Sequence, residues 1–381
     1  MLWPSHAHAY AWMIRHGYSQ CAQCHVDPSG SGALTAYGHD IAESKLRTHY
    51  DAWESQKEDD RLGNFLFGAV ELPDELDFGG DVRVLSLHTK AEGTALQDRF
   101  IWMQVDGKVA VHSGPVVGSA TLGYAPEGAL GAAITPAPEK NLVSREHWFG
   151  VYLDGSHETL LRAGRMNVPF GVRSLEHTLW TRVSTGTDIN DQQQYGLSLA
   201  LSGEQYRAEI MGILGSWQIR PDQFRQRGYS GTFEYSPING LAVGASSRVV
   251  HLDLDTRLLK PIWHHTHGVF GRWASPWEPL VLLTEWDYVQ DSPRYVQRTK
   301  GVVGYLQADV EATQGVHFMT TFEARNVSQW KVPTSYGVWL SYAWFFAPHA
   351  DIRLDNIYQS FGSLSGRTGE LSFLLQAHVS L

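Results

Sequence analysis

From residue 78 to residue 381, apolar and polar side chains alternate with a period of two. That is the repeat of an extended strand, whose successive side chains point to opposite faces. Along 336–346, Tyr336, Val338, Leu340, Tyr342, Trp344 and Phe346 share one face, opposite Gly337, Ser341 and Ala343. Along 280–289, Leu280, Leu282, Trp286 and Tyr288 fall with Thr284 against Glu285 and Asp287. Val302, Leu306, Val310 and Ala312 oppose Gln307, Asp309 and Glu311, and Val316, Phe318, Phe322 and Ala324 oppose His317, Glu323 and Arg325. The pattern predicts sixteen strands, at roughly 78–90, 97–112, 114–125, 144–153, 158–166, 192–202, 204–214, 226–236, 240–252, 262–273, 278–289, 297–312, 315–327, 335–347, 350–361 and 370–381. Their connections alternate between short and long. The short ones hold SGP (113–115), DGS (154–156), SGE (202–204), PING (237–240), SPWEP (275–279), TQG (313–315) and PHA (348–350), and the longest of the others are 126–143 and 167–191. A β-sandwich has no reason to keep that alternation. The expected fold is an all-β transmembrane barrel of about 16 antiparallel strands, short turns facing the periplasm and both chain ends on that side.

Composition agrees with that reading and removes others. Aromatic residues make up 12% of the chain and glycines number 37, yet no run of about 18 apolar residues offers a spanning helix. A net charge of −10 with 18% charged residues argues against nucleic acid as a partner. Leu371, Phe373, Leu375, Ala377, Val379 and Leu381 alternate to the C-terminus, as a closing strand would, with Leu where an aromatic residue is most frequent. Arg207, Glu209, Glu285, Asp287, Asp309, Glu311, Glu323, Arg325, Arg353 and Asp355 would line the lumen with mixed charge.

Ahead of the strands, residues 1–50 form a different unit, joined by a charged linker at 51–77. Its centre is CAQCH, residues 21–25, where Cys21 and Cys24 are the only cysteines of the chain and His25 follows directly. C-x-x-C-H is the attachment signature of c-type haem: two thiols reach the two vinyl groups of one haem and the histidine becomes an axial ligand of its iron. A redox CxxC would need a βαβ setting that is absent, and a zinc site would need further ligands. One covalent haem c is therefore expected on Cys21, Cys24 and His25. Such attachment occurs outside the cytoplasm. Residues 1–9 accordingly read either as the end of an export signal, with Ala7-His8-Ala9 resembling a cleavage site, or as part of the folded chain. A unit of about 40 residues buries too little to fold alone and needs haem and a larger wall to stay ordered.

The sixth iron ligand is open at this level. His16 and Met13 lie before the motif, His39 and His49 after it, and His177 lies in the third long loop, which in porins commonly folds into the lumen. Each also reads as an ordinary luminal or surface side chain. His264, His265 and His267 form a further cluster, read as a solvated strand end before a metal site.

The first unit, AYAWMIRHGYSQCAQCHVDPSGSGALTAYGHDI, with its Leu34-Thr35-Ala36-Tyr37-Gly38 stretch and the barrel behind it, resembles the fused outer-membrane cytochrome–porins known as iron oxidases. The resemblance implies a small monohaem cytochrome seated in the lumen. It implies oxidation of an extracellular donor such as Fe(II), electron delivery to a periplasmic cytochrome, and an outer surface in contact with outer-membrane lipid. The DPSGSG turn is longer and richer in glycine than in the iron oxidases, which points to a sister branch with another donor.

Overall fold

The computed structural model describes residues 10–49, 69–70, 72–124, 142–173, 178–276, 279–327, 331–347 and 349–380. All sixteen expected strands are present: β1 Leu76–Ala91, β2 Gln97–Ser113, β3 Val116–Tyr124, β4 Leu142–Tyr152, β5 Thr159–Met166 and β6 Gln194–Ser202. They continue as β7 Tyr206–Gly215, β8 Arg227–Ile238, β9 Leu241–Leu252, β10 Ile262–Ala274 and β11 Leu280–Pro293. The last five are β12 Thr299–Thr313, β13 Val316–Asn326, β14 Ser335–Ala347, β15 Ala350–Ser363 and β16 Gly366–Ser380. The largest shifts from expectation are at β11, which runs on to Pro293, and β16, which begins at Gly366. The barrel starts at Leu76, two residues inside the expected linker.

Each strand pairs antiparallel with its neighbours in sequence, and β1 pairs with β16 from Asp81↔Ser380 to Ala91↔Glu370. The ladder closes on itself, so no strand edge is left to recruit a second chain. Side-chain direction follows the expected parity. Glu285 and Asp287 on β11, Asp309 and Glu311 on β12, and His317 and Glu323 on β13 are buried inside. Phe100, Trp102, Phe149, Ile210, Phe233, Val269, Leu306, Phe318 and Leu340 stand exposed outside. No helix among the described residues is long and apolar enough to cross a membrane.

The inner wall is less polar than the pattern implied. The face of β14 that carries Gly337, Ser341 and Ala343 also carries Trp339 and Phe345. Both pack with Leu85, Met319, Leu374 and, from the N-terminal unit, Trp12, Met13, Ile14 and Cys24 in one apolar cluster. A second cluster joins Val26 and Ala33 to Trp148, Leu160 and Met166. Full burial of each such aliphatic or aromatic side chain is worth about 1.5–3 kcal/mol. The N-terminal unit and the inner wall thus supply each other's core.

That unit is short-range structure throughout. A 3-10 helix, Ala11–His16, ends at Gly17 with φ 86, a left-handed conformation that glycine adopts without strain. One 3-10 turn, Cys21–Gln23, carries the motif. α1 (Ala36–Ile41) is capped by Thr35, whose hydroxyl accepts from Gly38 N at 3.1 Å, and a wider turn, Ala42–Leu46, follows.

Candidate functional site

The motif is folded so that both thiols and the imidazole lie on one tight turn: Cys24 N and His25 N both donate to Cys21 O, at 3.2 and 3.0 Å. The chain then reverses. Val26 N donates to Ala33 O (3.1 Å) and Thr35 N to Cys24 O (2.9 Å), while the Asp27 carboxylate accepts from Ser29 N at 2.7 Å. The DPSGSG stretch is the hinge of this hairpin, and Gly30 with φ 87 completes it. α1 lies directly on the motif, because a Cβ at position 38 would overlap the Cys24 carbonyl; only glycine fits there.

Anchors run from this unit to strands around the barrel. Arg162 of β5 is wholly buried and pairs with Asp27 at 2.9 Å and with Glu209 of β7 at 2.5 Å. Arg272 of β10 donates to Ser19 O at 2.8 Å, and His16 meets Glu311 of β12 at 3.0 Å. Gln20 donates to Gly203 O in a short turn at 3.0 Å, and Gln314 in another short turn donates to Ser44 O at 2.9 Å. The unit therefore occupies the lumen from the short-turn end. Complete burial works against ionisation of Asp27, but the Arg162 guanidinium and the Ser29 N–H hold its carboxyl below the usual range.

The loop between β5 and β6 folds inward above it. Gly171 N donates to Ser246 Oγ (2.8 Å), Val172 N to Glu285 Oε2 (2.8 Å) and Trp180 N to Glu323 Oε2 (3.0 Å). A short helix in it, α2 (Trp180–Thr185), puts Arg182 2.6 Å from Glu285. Arg173 reaches down to Ser29 O at 3.0 Å. The inward fold expected of the third long loop is thus present. His177 itself lies outside the described residues.

His25 is buried and opens on a cavity of about 300 Å³ between the N-terminal unit and the wall of β1, β2 and β13–β16. Trp12, Leu85, Met319, Trp339 and Phe345 line it, together with charges of both signs: Lys108 is paired with Asp81 and Arg353 with Asp355, and Arg83 lines it as well. No side chain hydrogen-bonds either ring nitrogen of His25, and the Ser31 backbone lies beside the ring. Burial pushes the imidazole down to about 4, with the Lys108 ammonium adding to the effect, so the ring is neutral as a metal ligand must be. Cys21 and Cys24 are buried and not disulfide-bonded, and burial pushes the Cys24 thiol up.

Two thiols, a neutral imidazole and an adjoining cavity with apolar and mixed-charge walls suit an amphipathic macrocycle, whose propionates would have to share Lys108 and Arg353 with Asp81 and Asp355. One feature requires rearrangement. Cys21 Sγ accepts from Arg207 at 3.1 Å, and neither sulfur lies on the cavity surface, so thioether formation needs Cys21 to leave that contact.

Of the expected distal ligands with described positions, none lines this cavity. His16 is held by Glu311, His39 lines a smaller neighbouring cavity with Tyr10 and Phe345, and Met13 is inside the apolar cluster. His49 is not on the cavity either. The His264–His267 cluster is divided: His264 pairs with Asp291 at 2.6 Å and His267 with Ser247 at 3.0 Å. Among the described residues no group of three or more His, Cys, Asp or Glu is arranged to hold a metal ion. Sequence reasoning placed His317 on the inner face without assigning it a role. Its signal was present in the parity of β13 and the acidic residue on β12.

No protein-family profile matches the chain, and no curated protein does. Solved structures do. The fold is similar to outer-membrane expressed OmpT of Vibrio cholerae, with TM-score 0.61 at 9% identity over 82% of this chain and 100% of that one. It is similar to the outer membrane channel DcaP of Acinetobacter baumannii, with TM-score 0.60 at 10% identity over 82% and 99% of the two chains. An anion-selective porin from Comamonas acidovorans gives TM-score 0.61 at 11% identity over 80% and 99%. The chain has the closed sixteen-strand architecture of the porins.

Proposed function

We propose that this chain is an outer-membrane electron conduit, in which a c-type haem on Cys21, Cys24 and His25 is housed in the lumen of a porin-like barrel. The supporting observation is the placement of CAQCH: the one haem-attachment signature is enclosed by the barrel, and its buried histidine lines a cavity there. The outward belt of Phe, Trp, Leu and Val is the surface expected to meet lipid. By the rule for such barrels, the short-turn end and both barrel termini face the periplasm. Such a haem, when bound, supplies one reversibly exchangeable electron. The protein's part is to hold the group part-way across a hydrocarbon layer about 30 Å thick and to keep water from the iron. An extracellular donor loses one electron and a periplasmic cytochrome docked at the short-turn end gains it. Fe(II) is the donor that the family resemblance suggests.

The test begins with protein made in a host that matures c-type cytochromes. A pyridine haemochrome should report one covalent haem per chain, and Cys21→Ala with Cys24→Ala should abolish it. Anaerobic mixing of the ferric protein with Fe(II) should raise the reduced-haem bands. No reduction at any pH from mildly acid to neutral removes Fe(II) as donor and leaves electron transfer with another donor.

A second reading, a diffusion porin whose haem segment serves as plug or docking module, is supported by the channel and porin among similar structures. Planar-bilayer conductance separates the two. A conduit with a filled lumen passes almost no ions, whereas a diffusion porin conducts in its haem-loaded state.

A further inference from the structure

Among the described residues, three histidines line the cavity: His25, His317 and His378. They differ in what their ring nitrogens do. His378 is used at both: Nδ1 meets Asp351 at 2.7 Å and Nε2 meets Asp81 at 3.0 Å. His317 is used at one. Its Nδ1 lies 3.0 Å from Asp309 Oδ1, and its Nε2 is buried with no hydrogen-bond partner. The ring is almost wholly enclosed and lies against Trp12, with ring centroids 4.1 Å apart.

A buried ring N–H without a partner is costly, so a bare nitrogen there is best explained as a lone pair with a use. The carboxylate on the opposite nitrogen fixes that assignment. Asp309 accepts the Nδ1 hydrogen, which in the neutral ring leaves Nε2 as the lone-pair nitrogen. A carboxylate–histidine pair whose other nitrogen is bare is the arrangement that metal-ligating histidines adopt. Among the described residues, the cavity wall also holds two thioethers, Met103 and Met319.

We infer that His317 of β13 is the distal axial ligand of the haem held by His25, oriented by Asp309 and steadied by Trp12. The inference rests on the proposed haem attachment and adds to it that the barrel wall, not the N-terminal unit, completes the iron's coordination. The N-terminal unit would then be locked to the wall through the metal, and a six-coordinate iron suits electron transfer better than gas binding.

The experiment uses the full haem-loaded protein. Wild type should be low-spin in both oxidation states and should not bind carbon monoxide on mixing. His317→Leu should turn the ferric protein high-spin by electron paramagnetic resonance and let the ferrous protein bind carbon monoxide. His317→Met should restore a low-spin signal of changed anisotropy. Asp309→Asn should remain low-spin but shift the reduction potential upward, since the ligand loses its anionic partner. His378→Ala and Met319→Leu should leave the spectra as in wild type. A low-spin, carbon-monoxide-resistant His317→Leu variant overturns the inference, as does a high-spin His378→Ala or Met319→Leu with His317 intact. A wild-type protein without covalent haem overturns both this and the reading beneath it, so the two failures are distinguishable.

Discussion

Asp27 and Arg162 meet where neither side chain has any exposure, and Glu209 lies on the guanidinium's other side. A buried cation between two carboxylates is worth little compared with an apolar packing of the same shape, but breaking it leaves charge stranded. Arg162→Met, which strands both carboxylates, should destabilise the haem-loaded protein by about 3–5 kcal/mol. Asp27→Asn, which leaves Glu209 in place, should cost clearly less. Denaturant titration followed by haem absorbance checks the order, and equal losses would mean that Asp27 accounts for the whole effect and that stranding Glu209 adds nothing. Gly38 makes a separate demand, because its backbone lies against the Cys24 carbonyl. Gly38→Ala should cost about 1–3 kcal/mol through overpacking and lower the haem-to-protein ratio of the purified product. Cys21, Cys24 and His25 stood out because their spacing is the one that the proposed haem attachment would demand. Arg162 was not, since nothing local marks which luminal charge a distant hairpin will choose.

Strand parity was legible almost everywhere because a one-residue slip would turn every side chain to the wrong face. What the pattern could not reveal was the content of the lumen. Trp339 and Phe345 break the polar-inside rule only because the N-terminal unit covers them, a contact between segments far apart in sequence. The same holds for the loop between β5 and β6. Its length announced an inward fold, but its anchor, Glu285, read as one luminal charge among many. That carboxylate accepts from Val172 N and Arg182 and lies so close to Gly171 that a Cβ there would overlap it. Glu285→Ala should leave Arg182 buried without its counter-ion, at a cost of about 3–5 kcal/mol to the folded loop. Trypsin should then cleave after Arg173 or Arg182 in a variant whose barrel still resists digestion. Cleavage no faster than in wild type would show that Ser246 and Glu323 hold the loop without it.

Barrel closure and lumen filling are separate properties of this chain. The strand pairings close from β1 round to β16 without residues 10–49, which reach the strands' backbone at Thr48 N, bonded to Phe345 O at a bulge of β14. The unit in the lumen, by contrast, depends on the wall for its core and its counter-ions. Deleting residues 10–49 should therefore leave a folded barrel that binds no haem, while the isolated unit should not fold. The truncated barrel exposes Trp339, Phe345, Leu85 and Leu374 to water and will melt earlier, but its outer belt and ladder are unchanged. Barrels of this strand number enclose an aqueous channel when empty, so ion conductance should rise by about an order of magnitude or more over the full chain. The loop between β5 and β6 remains folded inward in the truncated barrel and sets the size of the increase. Adding Glu285→Ala to the deletion isolates its share. If conductance stays at the full-chain level until both changes are present, the loop seals the lumen by itself and the N-terminal unit serves the haem alone. If the deletion suffices, the segment that closes the pore is the one proposed to carry the haem, which would tie permeability to haem attachment in a single folding event.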